Sequence, residues 1–296
     1  MQSLVSYPSR GAYGKSNYRG NCSGHLIADL IDHFQPTTFV DATMGSGTTR
    51  DVCQEKGVLY KGLDIHTGFD VVKHSIRSFI KRDADMVFSH PPYHDMIDYE
   101  AERKKHQLPT MVANDLSACA SYEEFLEKSQ VMLFNQREAT KKGGVYTTLI
   151  GDYRKKGVFH STQSDYIQLM PKDELISVVI KAQHNTQSSF RTYRSGSFVP
   201  IMHEYLLIWK RKEATIYQVL RTKLEEYKQT IKGTWRSVVR VALMNLNGTA
   251  NLSAIYEEVL KIAEDKVRNN HHFQAKIRQT LQRYFSQVDR GVWSLS

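Results

Sequence analysis

The chain has 296 residues, of which 41% are hydrophobic. This length accommodates one large domain of ~200 residues and a small one, and the apolar content is enough for a packed core. No window approaches ~18 apolar residues, and the first residues lack the charged start and apolar core of a signal peptide. We therefore expect a cytoplasmic protein with no membrane partner.

Lysine and arginine outnumber aspartate and glutamate by 40 to 31, which gives a formal net charge of +9 and a pI near 9.3. This excess favours a polyanionic partner over a neutral one. The cysteines, Cys22, Cys53 and Cys119, lie far apart and lack Cys-x-x-Cys or Cys-x-x-His spacing. The sequence therefore predicts neither a metal site nor a disulfide framework.

The start of the chain combines an irregular arm with a helix. Residues 1–18 are rich in serine, tyrosine and glycine without an apolar period, which predicts an arm or loop. Residues 26–34 then carry apolar side chains on one helical face. This helix is predicted to begin near Ser23 and to end before Pro36.

A glycine-rich turn follows the first predicted core strand, residues 38–41. Gly45 and Gly47 let the backbone turn tightly and approach a ligand, and the hydroxyls after them can cap a new helix. The next strand ends at Asp64, and an acid about 20 residues past such a turn suits the two hydroxyls of a ribose. The pattern predicts a nucleotide-like cofactor. A nucleotide dehydrogenase is one alternative, although the third glycine of its motif is missing.

A third strand, residues 86–88, ends in His90-Pro91-Pro92-Tyr93. The two prolines lack amide donors, so the carbonyls beside them are free to accept from an amino group. Tyr93 offers a flat face for stacking, and a ring nitrogen of His90 can accept or donate a hydrogen bond. These four residues predict a slot for a planar ring that bears an amine. A plain turn after an edge strand is the alternative.

The turn and the slot, in this order, resemble two motifs of the S-adenosylmethionine-dependent DNA amino-methyltransferases, Asp-x-x-x-Gly-Ser-Gly-Thr-Thr and Asp/Asn/Ser-Pro-Pro-Tyr/Phe. The resemblance covers roughly residues 20–210 and implies a Rossmann-like α/β methyltransferase sheet flanked by helices. His90 departs from the pattern, because the family has Asp, Asn or Ser there. The resemblance implies S-adenosylmethionine as cofactor and as its binding residues Asn21, Ser23, Asp41, Thr43, Gly45, Gly47, Thr48, Asp64 and Asp70. The catalytic residues that the resemblance implies are His90, Pro91, Pro92 and Tyr93.

Periodicity and punctuation predict the remaining elements of the large domain. These are a helix at 73–81, a solvated loop at 100–114, a helix at 121–140, and strands at 145–150, 175–182 and 203–210.

Two loops of this domain have compositions that suit nucleic acid. The turn at 151–157 carries Arg154 and is either an ordinary β-turn or a phosphate-contacting loop. Residues 183–200 mix amides, hydroxyls, arginines and aromatics. This is either simple loop composition or that of a base- and phosphate-reading loop, with Arg191, Tyr193 and Arg194 as its contacts.

Composition changes near residue 212. A charged helix at 213–232 is followed by three predicted helices, at 235–246, 253–263 and 271–285, and by a hairpin at 286–295. This is a winged-helix pattern, and its third helix presents Lys276, Arg278, Gln279 and Arg283. A small packing or dimerising domain is the alternative. The predicted domains are therefore 1–211 (methyltransferase), 212–233 (helical linker) and 234–296 (winged-helix-like, DNA-binding).

The combined prediction is a methyltransferase that acts on N6 of adenine in double-stranded DNA, with N4 of cytosine as the alternative target. No long insertion separates turn and slot, so short or loose sequence specificity is expected, similar to prophage-borne adenine methyltransferases. No cysteine follows a proline, which agrees with direct transfer to the amine. An RNA methyltransferase and a non-catalytic DNA-binding protein stay open, as do a monomer and a homodimer.

Overall fold

The computed structural model describes residues 1–109, 114–184, 198–214, 216–268 and 270–295. The chain divides into two compact units, residues 1–216 and residues 217–296. The strands of the first unit are β1 (Leu4–Ser6), β2 (Thr38–Asp41), β3 (Leu59–Gly62), β4 (Ala84–Ser89), β5 (Thr140–Ile150), β6 (Tyr153–Lys155), β7 (Val158–His160), β8 (Leu175–Ala182) and β9 (His203–Lys210). Its helices are α1 (Gly24–Phe34), α2 (Thr48–Glu55), α3 (Ile76–Ile80), α4 (Tyr99–Lys105), α5 (Tyr122–Ala139) and α6 (Thr162–Leu169).

Seven of these strands form one sheet in the order β1-β8-β9-β5-β4-β2-β3, and β6 and β7 form a separate hairpin. Neighbouring strands of the sheet are parallel, except that β9 is antiparallel to both β5 and β8. The predicted mixed α/β fold with a mostly parallel central sheet is confirmed. The arm predicted at the start of the chain contributes β1, which pairs with β8.

Helices cover both faces of the sheet. One hydrophobic cluster joins the sheet to α3, α5 and α6, and a second joins it to α1 and α2. The strand β4 lies between β2 and β5, so both of its faces are covered and Met86, Val87 and Phe88 are buried. Because β2, β3 and β4 are adjacent and parallel, the residues that follow them lie along the same edge of the sheet.

Among the other predicted elements of the first unit, three have different bounds or a different type in the structure. The helix expected at 73–81 is only α3, because Asp70 accepts the amides of Val72 and Lys73 in a turn and Ser75 caps the helix later. The loop expected at 100–114 begins with α4, which Asp98 caps by accepting from the amide of Ala101. In both cases a local side-chain cap determines where the helix begins.

The strand expected at 145–150 begins earlier, at Thr140. The pairing of β5 with β4 shifts register between Ala84 and Met86, which face Thr140 and Val145. The extra residues form a bulge in which Gly143 has a φ of 74°, a conformation that glycine adopts readily. Gly143 and Gly144 therefore lie inside the strand.

The remaining elements are α7 (Ile216–Asn245), β10 (Thr249–Asn251), α8 (Leu252–Ile262), α9 (Glu264–Arg268), α10 (Phe273–Tyr284), β11 (Ser286–Asp289) and β12 (Val292–Ser294). The predicted linker and the first predicted helix are one continuous helix, α7. No proline interrupts it, and the roughly 1 kcal/mol cost of Gly233 is too small to end it. The short β10 and α9 were not expected from the sequence.

The second unit has its own core. Buried residues include Trp235 and Val239 of α7, Ile255 of α8 and Ile277 of α10, and Trp293 of β12 packs with them. The strands form a small sheet in the order β10-β12-β11. Across the described ranges of both units, no helix has the length and apolar character needed to cross a membrane.

Candidate active site

The turn after β2 is built around two acids. Asp41, at the end of β2, accepts a 3.0 Å hydrogen bond from the amide of Thr43, and Asp64, after β3, accepts a 2.8 Å bond from the amide of Gly45. Gly45 and Gly47 have φ values of 51° and 91°, and Gly47 is the N-cap of α2. The sequence Gly-x-Gly is therefore required by the backbone of this turn.

The turn forms one side of a cleft that encloses about 850 Å³ of empty space, its open mouth included. Seven of the nine residues predicted to bind a cofactor line this cleft, namely Asn21, Asp41, Thr43, Gly45, Thr48, Asp64 and Asp70. Gly47 is buried behind them as the helix cap. Ser23 is buried and lines a neighbouring cavity instead.

Two polar atoms in the cleft wall have no partner. Within the described ranges, Oγ1 of Thr48 and Nε of Arg103 are buried and accept or donate no hydrogen bond. Arg103 is held by a 2.6 Å ion pair with Asp115, and both residues line the cleft. A buried polar group without a partner costs about 1–3 kcal/mol, so a polar ligand would stabilise this wall.

Burial changes the protonation of two groups in the cleft. It raises the pKa of Asp41 to about 7, against the effect of hydrogen bonds from Thr49 and Thr43. It also raises the pKa of the Cys22 thiol to about 12. Cys22 is therefore a neutral thiol near pH 7 and not a ready nucleophile.

The slot lies at the end of β4, beside the cofactor turn. The backbone amide of His90 donates a 2.7 Å hydrogen bond to Oγ1 of Thr43. His90 and Pro92 line the same cleft as the predicted cofactor residues. An adjoining cavity is lined by His90, Tyr93, Tyr99, Asn21 and Glu204, among others. The two predicted sites are therefore adjacent and share His90 as part of their wall.

The Tyr93 ring lies close to the backbone after β5. A side chain at Gly151 would place its Cβ 2.6 Å from Cε2 of Tyr93, so glycine is required there. The Tyr93 hydroxyl lies 2.9 Å from Nε2 of His90 and 2.5 Å from Oε1 of Glu204. Lys181 donates to the other Glu204 oxygen at 2.6 Å. The slot is thus tied to β8 and β9.

Sequence reasoning missed several residues of the cleft and of the slot beside it. Tyr18 comes from the predicted arm, Tyr99 and Arg103 come from α4, and Lys181 and Glu204 come from strands far along the chain. The signal for Glu204 was the presence of an acid in the mostly apolar run of β9. The others carried no recognisable motif.

The residues predicted to contact nucleic acid fall into three groups. The Arg154 guanidinium lies on the β6–β7 hairpin, 5.4 Å from the Phe159 ring centroid and 4.6 Å from that of Phe198. The predicted contacts on α10, Lys276, Arg278, Gln279 and Arg283, are all exposed, whereas Ile277 and Leu281 of the same helix are buried. Arg191, Tyr193 and Arg194 lie outside the described residues.

No protein-family model and no curated protein sequence matches the chain. Among solved structures, it is similar to a proposed DNA modification methylase of Thermus thermophilus, with 16% identity over 45% of this chain and 48% of that one and a TM-score of 0.29. A related crystal of that methylase contains S-adenosyl-L-methionine.

The chain is also similar to an S-adenosylmethionine-dependent methyltransferase of Archaeoglobus fulgidus, with 11% identity over 65% of this chain and 96% of that one and a TM-score of 0.38. A TehB-like methyltransferase of Corynebacterium glutamicum gives 16% identity, 63% and 87% coverage and a TM-score of 0.35. The chain spans about half the length of the Thermus methylase. Matches this distant assign no family, so the functional conclusion depends on the geometry of the cleft.

Proposed function

We propose that this protein is an S-adenosylmethionine-dependent methyltransferase that acts on the exocyclic amine of a base in double-stranded DNA. N6 of adenine is the first choice of target and N4 of cytosine the alternative. The observation that carries the proposal is the hydrogen bond from His90 to Thr43, because it joins an amine slot to a cofactor turn in one cleft.

The residues of the cleft fit this cofactor. Asp64 follows β3 at the position that suits the ribose hydroxyls, and Asp70, which accepts a 2.8 Å bond from the side-chain amide of Asn114, suits the adenine end. The Thr48 hydroxyl and Arg103 Nε, buried without a partner in the described residues, belong to side chains of the wall that the ligand would cover. When bound, S-adenosylmethionine supplies an electrophilic methyl group.

The slot residues would act on the amine itself. The lone pair of an exocyclic amine is delocalised into the ring, so the amine is a poor nucleophile until its hydrogens are held out of conjugation. His90 and the carbonyl beside Pro91 would accept hydrogen bonds from the amine, and Tyr93 would contact the flat face of the base. Because burial keeps Cys22 protonated, no covalent attachment of the base is invoked.

Double-stranded DNA as the substrate follows from charge and from the second unit. The net charge is +9, and α10 exposes Lys276, Arg278, Gln279 and Arg283 ahead of the β11–β12 hairpin. We interpret α10 as the recognition helix of a winged-helix domain, with the hairpin as its wing. Arg154, beside two aromatic rings, is assigned to the DNA backbone.

Nucleoside mass spectrometry of unmethylated plasmid DNA, incubated with the protein and S-adenosylmethionine, tests the reaction. We expect N6-methyladenine, its loss in His90→Ala and Pro91→Ala, and retention of activity in His90→Asn, which restores a side-chain acceptor. His33→Ala, a change at an exposed histidine of α1, is the matched control. N4-methylcytosine would select the alternative base.

Binding measurements separate the remaining alternatives. Calorimetry with S-adenosylmethionine should show binding that Asp64→Ala weakens. Competition between matched DNA and RNA duplexes should favour DNA, and preference for RNA would make the protein an RNA methyltransferase. Cofactor binding without any methylated nucleoside would overturn the catalytic proposal and leave a DNA-binding protein.

A further inference from the structure

Four side chains form one hydrogen-bonded chain at the slot, two on the strands β8 and β9 and two in the segment that follows β4. Lys181 of β8 and Glu204 of β9 are direct cross-strand neighbours, and Lys181 Nζ lies 2.6 Å from Glu204 Oε2. The Tyr93 hydroxyl lies 2.5 Å from Glu204 Oε1, and Nε2 of His90 lies 2.9 Å from that hydroxyl. Lys181 and Glu204 are 9% and 6% exposed, so water competes little for these bonds.

The direction of each bond follows from the number of protons available. Burial raises the pKa of Glu204, but the Lys181 charge and the hydrogen bonds from Lys181 and Tyr93 outweigh it and leave that pKa below its usual range. Glu204 is therefore a carboxylate, which only accepts. Burial and Glu204 raise the pKa of Tyr93, so Tyr93 keeps its single proton and donates it to Glu204.

The Tyr93 oxygen can then only accept from His90. Burial lowers the pKa of His90 to about 4, so the ring is neutral near pH 7 and has one N–H. That proton must be on Nε2, the atom that faces Tyr93 and Glu204. The other nitrogen, Nδ1, is left unprotonated and has no partner in the described part of the chain.

We propose that Lys181 and Glu204 are positioning residues that act through Tyr93 to hold His90 in the tautomer whose Nδ1 accepts a hydrogen bond from the substrate amine. This inference depends on the proposed function for the identity of the amine. It explains how a histidine replaces the Asp, Asn or Ser of the motif that the slot resembles. An imidazole in the other tautomer would present an N–H to the amine and repel it.

The substitution Glu204→Gln tests this directly. A glutamine amide can donate to the Tyr93 oxygen, which turns the Tyr93 proton toward Nε2 of His90 and drives the histidine proton to Nδ1. Nitrogen-15 NMR of labelled histidine should show protonated Nε2 in the wild type and protonated Nδ1 in the variant. We expect kcat to fall on the order of 100-fold while the Kd for S-adenosylmethionine stays close to that of the wild type.

A second buried glutamate provides a matched control. Glu174 is 1% exposed and accepts from the guanidinium of Arg137 at 2.6 Å and from the hydroxyl of Tyr146 at 2.6 Å, away from the cleft. Glu174→Gln should lower stability through the same kind of unpaired cation. This variant should have the same His90 tautomer as the wild type. The fraction of it that stays folded should also have the kcat of the wild type.

The outcomes distinguish this inference from the proposed function. If the wild type transfers methyl groups while Glu204→Gln lowers only stability, the ion pair is structural and the positioning role is wrong. If the wild type has the expected tautomer but transfers no methyl group, the proposed function fails, and the assignment of Nδ1 to a substrate amine fails with it. Tyr93→Phe, which removes the intermediate hydroxyl, should reproduce the loss of kcat.

Discussion

The hydroxyl of Thr43 accepts the backbone N–H of His90 at 2.7 Å, so the cofactor turn after β2 fixes the first residue of the slot after β4. Thr43→Val keeps the shape of the side chain and removes the hydroxyl acceptor, whereas Thr43→Ser keeps the hydroxyl acceptor. We expect Thr43→Val to lower kcat by roughly 10- to 100-fold, because small displacements of reacting groups are costly. Steady-state kinetics and cofactor titration should show a larger effect on kcat than on affinity. Equal activity of the two variants would contradict this role.

Gly151 should be essential for the position of Tyr93. The Cβ of Gly151→Ala would lie 2.6 Å from Cε2 and 3.1 Å from Cδ2 of that ring, so the ring must move and its hydroxyl must leave Glu204 and His90. We expect a large loss of activity in methyl-transfer assays. Gly57→Ala is the control, since its Cβ meets nothing within 4 Å and only the backbone, with a φ of 68°, is strained. It should lower the melting temperature without lowering kcat.

The cofactor turn and the slot were predictable because each is a local pattern at the end of a buried strand. Gly45 and Gly47 have the positive φ values that the turn requires, and the two sites meet because parallel neighbouring strands end at one edge. Whether these residues bind the cofactor and the base stays a prediction that the variants above test.

The rest of the site was not predictable, because it depends on contacts between distant segments. Glu204 lies 111 positions from Tyr93, and their contact requires the antiparallel placement of β9, which no local pattern specifies. The polar composition that suggested a loop at 100–114 concealed α4, where Glu102 and Arg103 are buried. Glu102 accepts from the Arg19 amide and Arg103 pairs with Asp115, so their burial depends on tertiary partners.

Asp41 should make stability depend on pH. Its pKa in the folded protein, raised by burial to about 7, exceeds the usual 3.8. Between these values the folded chain holds a proton that the unfolded chain has lost, so the free energy of unfolding falls as pH rises. Asp41→Asn removes this dependence. Urea unfolding without cofactor should show the variant gaining about 3 kcal/mol relative to the wild type between pH 5 and pH 8.

The control for Asp41 is Asp32→Asn, because the Asp32 side chain is 59% exposed and makes a surface ion pair with Lys56. The free energy of unfolding of Asp32→Asn should change with pH in the same way as that of the wild type across this range. If Asp41→Asn also runs parallel to the wild type, Asp41 is ionised in the folded protein near pH 5, and the neutral carboxyl inferred here is wrong.

The exposed face of α10 should carry a large part of the affinity for DNA. Lys276 and Arg283 are exposed on this helix, and Lys261 is an exposed lysine of α8, with 72% of its side chain accessible. Binding weakens as salt rises, and each phosphate contact contributes about −0.9 to the slope of log K against log salt. Lys276→Ala and Arg283→Ala should therefore each make this slope shallower, and Lys261→Ala should leave it unchanged. Fluorescence anisotropy of the full chain across a salt series measures this. If all three variants keep the slope of the wild type, the packing or dimerising alternative is favoured.

Gln279→Ala tests base contact separately. A change in the preferred DNA sequence at a constant slope would place the Gln279 amide on a base edge.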